Sequence, residues 1–153
     1  MEAHRLAGLA LLVAALTMAC ADGNVHTDSF ASMVEARERG AVQRGWVPAV
    51  LPDGAFELRA AYDVDGWRRW GLFNFRPADA EALRAVLQPE ETPLEGTAIG
   101  VPRRIEWWPI ALRGRLQPDT ISSTGLRAYR ARAGDLVFAV NWNQGRAYYW
   151  TAR

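Results

Sequence analysis

The chain has 153 residues, half of them hydrophobic, and a formal net charge of +1. All 18 basic residues are arginines, which excludes catalysis through a lysine Schiff base and the lysine-containing phosphate-binding loop. A net charge near zero also argues against binding to nucleic acid, and we predict no nucleic-acid partner.

Residues 1–19 have the organisation of a cleaved signal peptide. A short, positively charged start is followed by 14 small or apolar residues, from Leu6 to Ala19. As a helix this run would extend roughly 21 Å, which is shorter than the ~30 Å hydrocarbon core of a bilayer. We therefore predict a signal segment that is removed, and not a transmembrane anchor.

The signal segment is followed by Cys20, the only cysteine of the chain. Residues 17–20 resemble the bacterial lipobox, although Thr17 stands where leucine is usual. A single cysteine cannot form an intrachain disulfide, and lipidation accounts for an odd cysteine in an exported protein. We predict that Cys20 carries acyl chains such as palmitate and that residues 20–28 form a lipidated tether. The alternative is an ordinary signal peptide cleaved next to an unmodified thiol.

The predicted anchor also predicts a location. Several acyl chains, at about 0.8 kcal/mol per buried methylene, would hold the protein durably on a membrane. By resemblance to bacterial lipoprotein sorting, Ala21 after the cysteine favours the outer membrane over the inner one. We therefore predict a lipid-anchored protein of the bacterial cell envelope that faces the periplasm, at the outer membrane.

Residues 29–153 form a single predicted globular domain, since a chain of this length buries about two thirds of its unfolded surface. Asp28 is predicted to cap a first helix that runs from Ser29 to Gln43. The prolines and glycines of residues 44–56 then predict a rigid connector that packs its apolar side chains inward.

The middle of the chain predicts a hairpin and a second helix. Apolar and polar residues alternate from Ala55 to Asp65, which is typical of a half-buried strand. Asp65-Gly66 predicts a turn before the returning strand Trp70–Phe75. Pro77 suits the first turn of a helix that ends near Gln88.

The C-terminal part predicts a loop and three strands. Residues 89–104 contain three prolines and two glycines, which predict a loop, and the aromatic segment 105–109 is open to a short helix or a strand end. The strands are Gly125–Arg132, Asp135–Trp142 and Arg146–Thr151. The predicted fold class is therefore α+β, an antiparallel sheet of about five strands with two helices on one face, preceded by the cleaved signal segment.

A set of motifs along the chain resembles a known family. It comprises the GWxPxxLPxxA pattern of residues 45–55, Tyr62-Asp63-x-Asp65, Phe73-x-Phe75, Trp107-Trp108-Pro109 and Tyr148-Tyr149-Trp150. These motifs are similar to those of small bacterial lipoproteins of the YbbD type. Asp53-Gly54 departs from the family, which more often has a hydroxylated or aliphatic residue after the second proline. The resemblance implies a lipoprotein and brings no activity or site residue with it.

Few residues are suited to catalysis once the signal segment is removed. His26 is then the only histidine, and the only cysteine is the lipidation site. A Ser-His-Asp or Cys-His centre would therefore lack its base, and a zinc site would lack its ligands. We predict no metal site, no cofactor and no enzymatic activity.

The catalytic alternative is a pair of carboxylates. Asp63 and Asp65 stand two residues apart on a predicted strand, which places them on one face about 6.5 Å apart. This spacing is within the range of glycosidase pairs, so the catalytic alternative is a carbohydrate-active hydrolase. A calcium loop that starts at Asp63 is excluded, because Trp67 and Asn74 stand where acidic ligands are needed. Aspartate before glycine at a strand end is also ordinary turn chemistry.

Tryptophan and arginine provide the candidate binding surfaces. The seven tryptophans either pack in and around the core or form an aromatic platform for a glycan or a partner protein. The candidate binding patch consists of Trp67, Arg68, Arg69, Trp70, Trp107 and Trp108. Residues 103–153 carry nine arginines against three acidic residues, a net charge of +6. These arginines either neutralise the acidic part of the fold or form a face for anionic lipid headgroups or an acidic partner.

The sequence therefore predicts an envelope-anchored lipoprotein that acts as a non-catalytic binding or accessory module. Its predicted partners are the membrane, through lipidated Cys20, and an envelope protein or a glycan. The alternative is a carbohydrate-active hydrolase that uses Asp63 and Asp65.

Overall fold

The computed structural model describes residues 24–65 and 67–152. The predicted signal peptide (residues 1–19) and the lipidation site Cys20 lie outside the described residues, as does Gly66 of the predicted turn. The helices and strands are β1 (Val25–Ser32), α1 (Met33–Glu38), β2 (Phe56–Asp63), β3 (Arg69–Asn74), α2 (Ala80–Val86), β4 (Ala98–Ile99), β5 (Gly114–Arg115), α3 (Pro118–Ser122), β6 (Arg127–Arg130), β7 (Leu136–Asn141) and β8 (Arg146–Thr151). Short 3₁₀ turns are formed by Pro77–Asp79 and Ile110–Leu112.

Six strands form one antiparallel sheet in the order β1-β2-β3-β8-β7-β6, and β4 pairs separately with β5. This confirms the predicted α+β fold, with one strand more in the main sheet than the five expected. The β2–β3 hairpin and the C-terminal meander β6-β7-β8 are also confirmed. The pairing of β3 with β8 joins these two units into one sheet, so a single layer of strands runs through the described domain.

The predicted helix from Ser29 to Gln43 is wrong at both ends: α1 ends at Glu38, and the residues before Met33 belong to a strand. This part of the chain forms β1, which pairs with β2 along the whole of its length. The helix α1 begins only after Ser32, whose Oγ accepts a hydrogen bond from the Glu35 N–H at 3.2 Å. Asp28, the predicted cap, lies inside the strand, so the sheet extends into the segment 20–28 that we predicted as a tether. Pairing with β2 stabilises the extended conformation of these residues more than their weak helical pattern favours a helix.

One face of the sheet, which we call the helix face, is covered by α1, α2 and the connector between α1 and β2. Its buried side chains include Phe30, Met33, Ala36, Val47, Leu51, Leu58, Phe73, Phe75, Leu83, Leu87, Phe138 and Tyr149. α1 and α2 therefore lie on one face, as predicted, whereas a third helix that was not predicted, α3, packs Ile121 on the opposite face. Among the described residues, no helix is both long and apolar enough to cross a membrane.

The opposite face, which we call the loop face, is covered by residues 94–121. Its buried side chains include Leu94, Ile99, Ile105, Trp108, Leu112, Leu116 and Ile121, which pack with Ala61, Trp70, Val137, Ala139 and Trp150. The Arg113 guanidinium donates to the carbonyls of Pro102 and Ile105 and so joins the turns of this segment. A loop that covers a core needs such partners for its carbonyl groups.

The strand β2 contains a bulge between Phe56 and Arg59. Within it, Glu57 has a φ of +50° and is the one non-glycine residue of the described chain with a positive φ. This left-handed conformation costs an ordinary L-residue about 1–2 kcal/mol. The Glu57 carboxylate accepts a hydrogen bond from the Asn74 amide at 2.6 Å, on the loop face of β3.

Candidate functional site at the hairpin tip

The segment that joins β2 to β3, together with the first residue of β3, presents apolar side chains to solvent. We call residues 63–69 the hairpin tip. Val64 is 55% exposed and Trp67 is 41% exposed. The Val64 N–H donates to the Asn24 carbonyl at 3.0 Å, and the Thr151 hydroxyl donates to the Trp67 carbonyl at 3.4 Å. The exposed side chains therefore stand on backbone that neighbouring strand ends hold in place.

Asp63 holds the hairpin tip from within. Its carboxylate accepts a hydrogen bond from the Asp65 N–H at 3.2 Å, which is an Asx turn, and another from Arg68 Nη2 at 3.1 Å. Asp65 is exposed, and its carboxylate accepts a hydrogen bond from the Asn24 amide. Both aspartates therefore contribute to the conformation of the turn.

The two arginines of the hairpin tip have different surroundings. The Arg68 guanidinium is half exposed and lies 5.3 Å from the centroid of the Trp70 ring. Arg69 is more enclosed, because it donates to the Gly45 carbonyl at 3.2 Å and pairs with Asp135 at 3.4 Å. Arg69 therefore connects the hairpin to the connector and to the start of β7, whereas Arg68 remains accessible at the surface.

Two cavities flank the hairpin tip. The larger, which we call the tryptophan cleft, has a volume of about 350 Å³ and is lined by residues that include Trp67, Arg68, Trp70, Leu94, Ile99, Arg130 and Trp150. The smaller has a volume of about 290 Å³ and is lined by residues that include Trp46, Tyr62, Asp63, Trp67, Arg68 and Arg69. Trp67 and Arg68 line both cavities, so the hairpin tip separates one cavity from the other. The tryptophan cleft has the size of a small ligand pocket.

Two tryptophans of the candidate binding patch lie in the core of the loop face. Trp70 and Trp108 are each 2% exposed. Their indole N–H groups donate to the carbonyls of Gly100 at 3.1 Å and Leu112 at 2.8 Å. Because their rings are buried and their polar atoms are satisfied, these two residues stabilise the covering segment and do not form an exposed platform. Trp70 does contribute to the wall of the tryptophan cleft.

The remaining members of the patch lie at two separate places. Trp107 is half-buried, contacts Trp108 edge-on at 6.1 Å between ring centroids, and lines a groove at the other end of the loop face. Trp67, Arg68 and Arg69 lie together at the hairpin tip. The six residues therefore do not form one surface, and the tip is the part that remains open to a partner.

A hydrolase that uses Asp63 and Asp65 would need both carboxylates to line one cleft. Asp63 lines the smaller cavity, whereas Asp65 lines neither of the two cavities at the hairpin tip. In the part of the chain that the structure describes, no group of three or more His, Cys, Asp or Glu residues could hold a metal ion. The hydrolase alternative stays a prediction, and the two carboxylates have structural partners in the turn.

The sequence did not predict an aromatic stack beside the smaller cavity. Trp46 of the connector stacks on Tyr62 of β2, with ring centroids 4.2 Å apart and an interplanar angle of 6°. His26 also stacks on Tyr62, at 5.8 Å, and the Arg44 guanidinium lies 4.3 Å from the Trp46 centroid. Burial raises the pKa of Tyr62, and the charge of Asp28 acts in the same direction. The sequence feature that could have pointed to this stack is Trp46, which belongs to the GWxPxxLPxxA pattern.

The comparison with known families covers this same region. Residues 24–74 match the family model of the YbbD head domain. The match runs from the start of the described chain through β3, so it includes the connector, the aromatic stack and the hairpin tip. It supports a YbbD-type family for this part of the chain, and it brings no specific function. No curated protein and no solved structure matches the chain.

Proposed function

We propose that this chain is a lipoprotein of the bacterial cell envelope whose domain is a binding or accessory module without catalytic activity. The observation that carries the proposal is the hairpin tip, where Val64 and Trp67 are exposed beside a cleft of about 350 Å³. Tryptophan and arginine contribute a large share of the binding energy at protein interfaces. The exposed Trp67 with Arg68 beside it has this composition.

The hairpin tip suits binding because its side chains are already held in position. Arg68 is bonded to Asp63, and Arg69 is bonded to Asp135. A side chain that is fixed before binding loses less conformational entropy when a partner arrives. Arg68 remains half exposed and available to an acidic group. We expect an envelope protein that places an apolar side chain in the tryptophan cleft and acidic side chains around it.

The proposed lipid anchor would lie close in sequence to the start of β1. Five peptide steps from Cys20 to Val25 span at most about 18 Å, so acylation would hold this end of the sheet near the membrane. Arg104 Nη1 donates to the Val25 carbonyl at 3.0 Å, which places the loop of residues 103–115 beside the same strand end. This loop carries four arginines, of which Arg104 and Arg113 donate to backbone carbonyls, and Ile110, which is 88% exposed. We expect the loop to face anionic lipid headgroups, in the outer membrane by the sorting argument.

The proposal is tested by crosslinking the tagged, lipidated protein in intact envelopes and identifying what it recovers by mass spectrometry. We expect one partner protein to be recovered, and Trp67→Ala to reduce its recovery at least fivefold. Val34→Ala is the matched control, because it shortens an apolar side chain that is 56% exposed on α1.

Two outcomes would contradict this proposal. Equal recovery with Trp67→Ala would show that the partner binds elsewhere. Recovery of the lipoprotein-sorting machinery alone would exclude a stable protein partner, and the glycan ligand would then be the remaining prediction for the tryptophan cleft.

A further inference from the structure

A second open site lies on the loop face, at the end of the sheet away from the hairpin tip. Residues 94–121 cover the part of the face that carries Trp70 and Trp150. Beyond them a groove of about 690 Å³ opens, about twice the volume of the tryptophan cleft. Its polar lining consists of Ser29, Glu35, Glu57, Arg59, Asn74 and Arg146, with Leu72 and Trp107 beside them. The Glu35 carboxylate already accepts hydrogen bonds from the Ala31 N–H and from Arg39. We call this site the polar groove.

Three polar side chains form a connected network in the polar groove. The Asn74 amide donates to the Glu57 carboxylate at 2.6 Å, and its oxygen accepts a hydrogen bond from Arg146 Nε at 2.9 Å. Asn74 is 9% exposed, so the link in the middle of the network is buried. The two charged groups are therefore held apart on either side of an amide and do not neutralise each other directly.

Glu57 reaches the network in a conformation that glutamate does not favour. Its φ of +50° lies at the bulge of β2, where glycine would be free of strain. Glutamate at this position places a carboxylate in the polar groove at a conformational cost. Strained residues of this kind concentrate at sites that bind ligands, which makes the groove a candidate independent of the hairpin tip.

Two guanidinium groups of the polar groove have unused donors. Within the described residues, Arg146 bonds only through Nε, and the Arg59 side chain has no hydrogen-bond or ion-pair partner. Arg59 lies on β2 and Arg146 on β8, with β3 between them. Neighbouring strands lie about 4.8 Å apart, so the two positions are separated by roughly 10 Å across the sheet. A ligand that carries two acidic groups at a similar spacing can pair with both arginines at once.

We propose that the polar groove binds an acidic saccharide of at least two sugar units. Carboxylates of the saccharide pair with Arg59 and Arg146, because guanidinium matches the geometry of a carboxylate. Hydroxyl groups donate to Glu57, which as a carboxylate only accepts hydrogen bonds. A sugar ring packs on the half-buried Trp107 at the wall of the groove. This site is separate from the hairpin tip and adds a ligand to the proposed protein partner.

The test is a calorimetric titration of the purified full-length protein with two tetrasaccharides. One alternates glucuronic acid with N-acetylglucosamine, and the other contains N-acetylglucosamine alone and is neutral. We expect the acidic tetrasaccharide to bind at least tenfold more tightly than the neutral one. Arg59→Gln and Arg146→Gln should each weaken acidic binding at least fivefold. Arg132→Gln changes an exposed arginine outside the groove and should leave the affinity unchanged.

Glu57→Gly separates a binding role from a structural one. It removes the carboxylate and relieves the strain at the bulge, so we expect an unchanged or higher melting temperature together with at least fivefold weaker binding. Equal affinity for the acidic and neutral tetrasaccharides would overturn the proposal. So would unchanged affinity in both arginine variants, or tight binding retained by Glu57→Gly. None of these outcomes depends on Trp67, so they do not bear on the protein partner.

Discussion

The ring of Tyr149 on β8 lies directly against Gly71 on β3 and occupies the space that a side chain at position 71 would need. A methyl group there would overlap the buried ring, which has no room to move on the helix face. We expect Gly71→Ala to lower the free energy of unfolding by about 1–3 kcal/mol, the usual cost of overpacking. Urea denaturation followed by tryptophan fluorescence measures it.

Gly100→Ala is the matched control for this substitution. A methyl group at position 100 would have no heavy atom within 4 Å, and the backbone there is outside the left-handed region. We expect a change below about 0.5 kcal/mol, as for other surface substitutions. If the two variants unfolded at the same urea concentration, the contact of Tyr149 with Gly71 would not determine the packing of β3 on β8.

Ser32 stands at the point where β1 becomes α1, and its side chain satisfies a backbone N–H of the first helical turn. We expect Ser32→Ala to destabilise the domain by about 1 kcal/mol, the typical loss for an N-cap. Ser29→Ala, in the exposed part of β1, is the control and should change stability by less than half as much. If Ser32→Ala and Ser29→Ala lowered the stability equally, the hydrogen bond between Ser32 and the Glu35 N–H would not contribute to it.

The fold could be predicted where its signals are local. Alternation from Ala55 to Asp65 identified β2, and the meander strands were likewise identified from their own residues. β1 could not be identified this way, because its partners in β2 lie more than 20 residues along the chain. One local signal was missed: Ser32 and Glu35 have the spacing of a capping box, which marks the true start of α1.

The candidate site was predicted only in part, for a physical reason. Trp67 and Trp70 stand three residues apart with two arginines between them, and the sequence does not show which ring is buried. The covering segment decides this, since it packs on Trp70 and leaves Trp67 at the hairpin tip. The sequence did not predict the polar groove. Glu57 adopts a strained conformation at a β-bulge, and neither residue propensities nor hydrophobic periodicity indicate such a position.

Stability should fall at high pH because of Tyr149. Burial raises the pKa of Tyr149, so the folded state keeps its proton where the unfolded chain loses it, above about pH 10. The unfolded state is then favoured, and the free energy of unfolding decreases as the pH rises. We expect urea unfolding from about pH 8 to about pH 11 to show this decrease, and Tyr149→Phe to reduce its slope.

A smaller slope should remain in Tyr149→Phe, because burial also raises the pKa of Tyr62. The double variant Tyr62→Phe with Tyr149→Phe should be flatter still. An unchanged slope in the Tyr149→Phe variant would contradict the assignment of the pH dependence to this buried hydroxyl.

The proposed anchor predicts that Cys20→Ala releases the protein from membranes. Several acyl chains hold a protein against a salt wash, whereas the arginines of the 103–115 loop contribute only about 1 kcal/mol each and are screened by salt. Fractionation before and after a high-salt wash therefore separates the two contributions. Thr17→Leu, which restores the usual lipobox residue, should keep the protein in the membrane fraction. If Cys20→Ala also stayed there after the wash, the anchor would not be a lipid on Cys20.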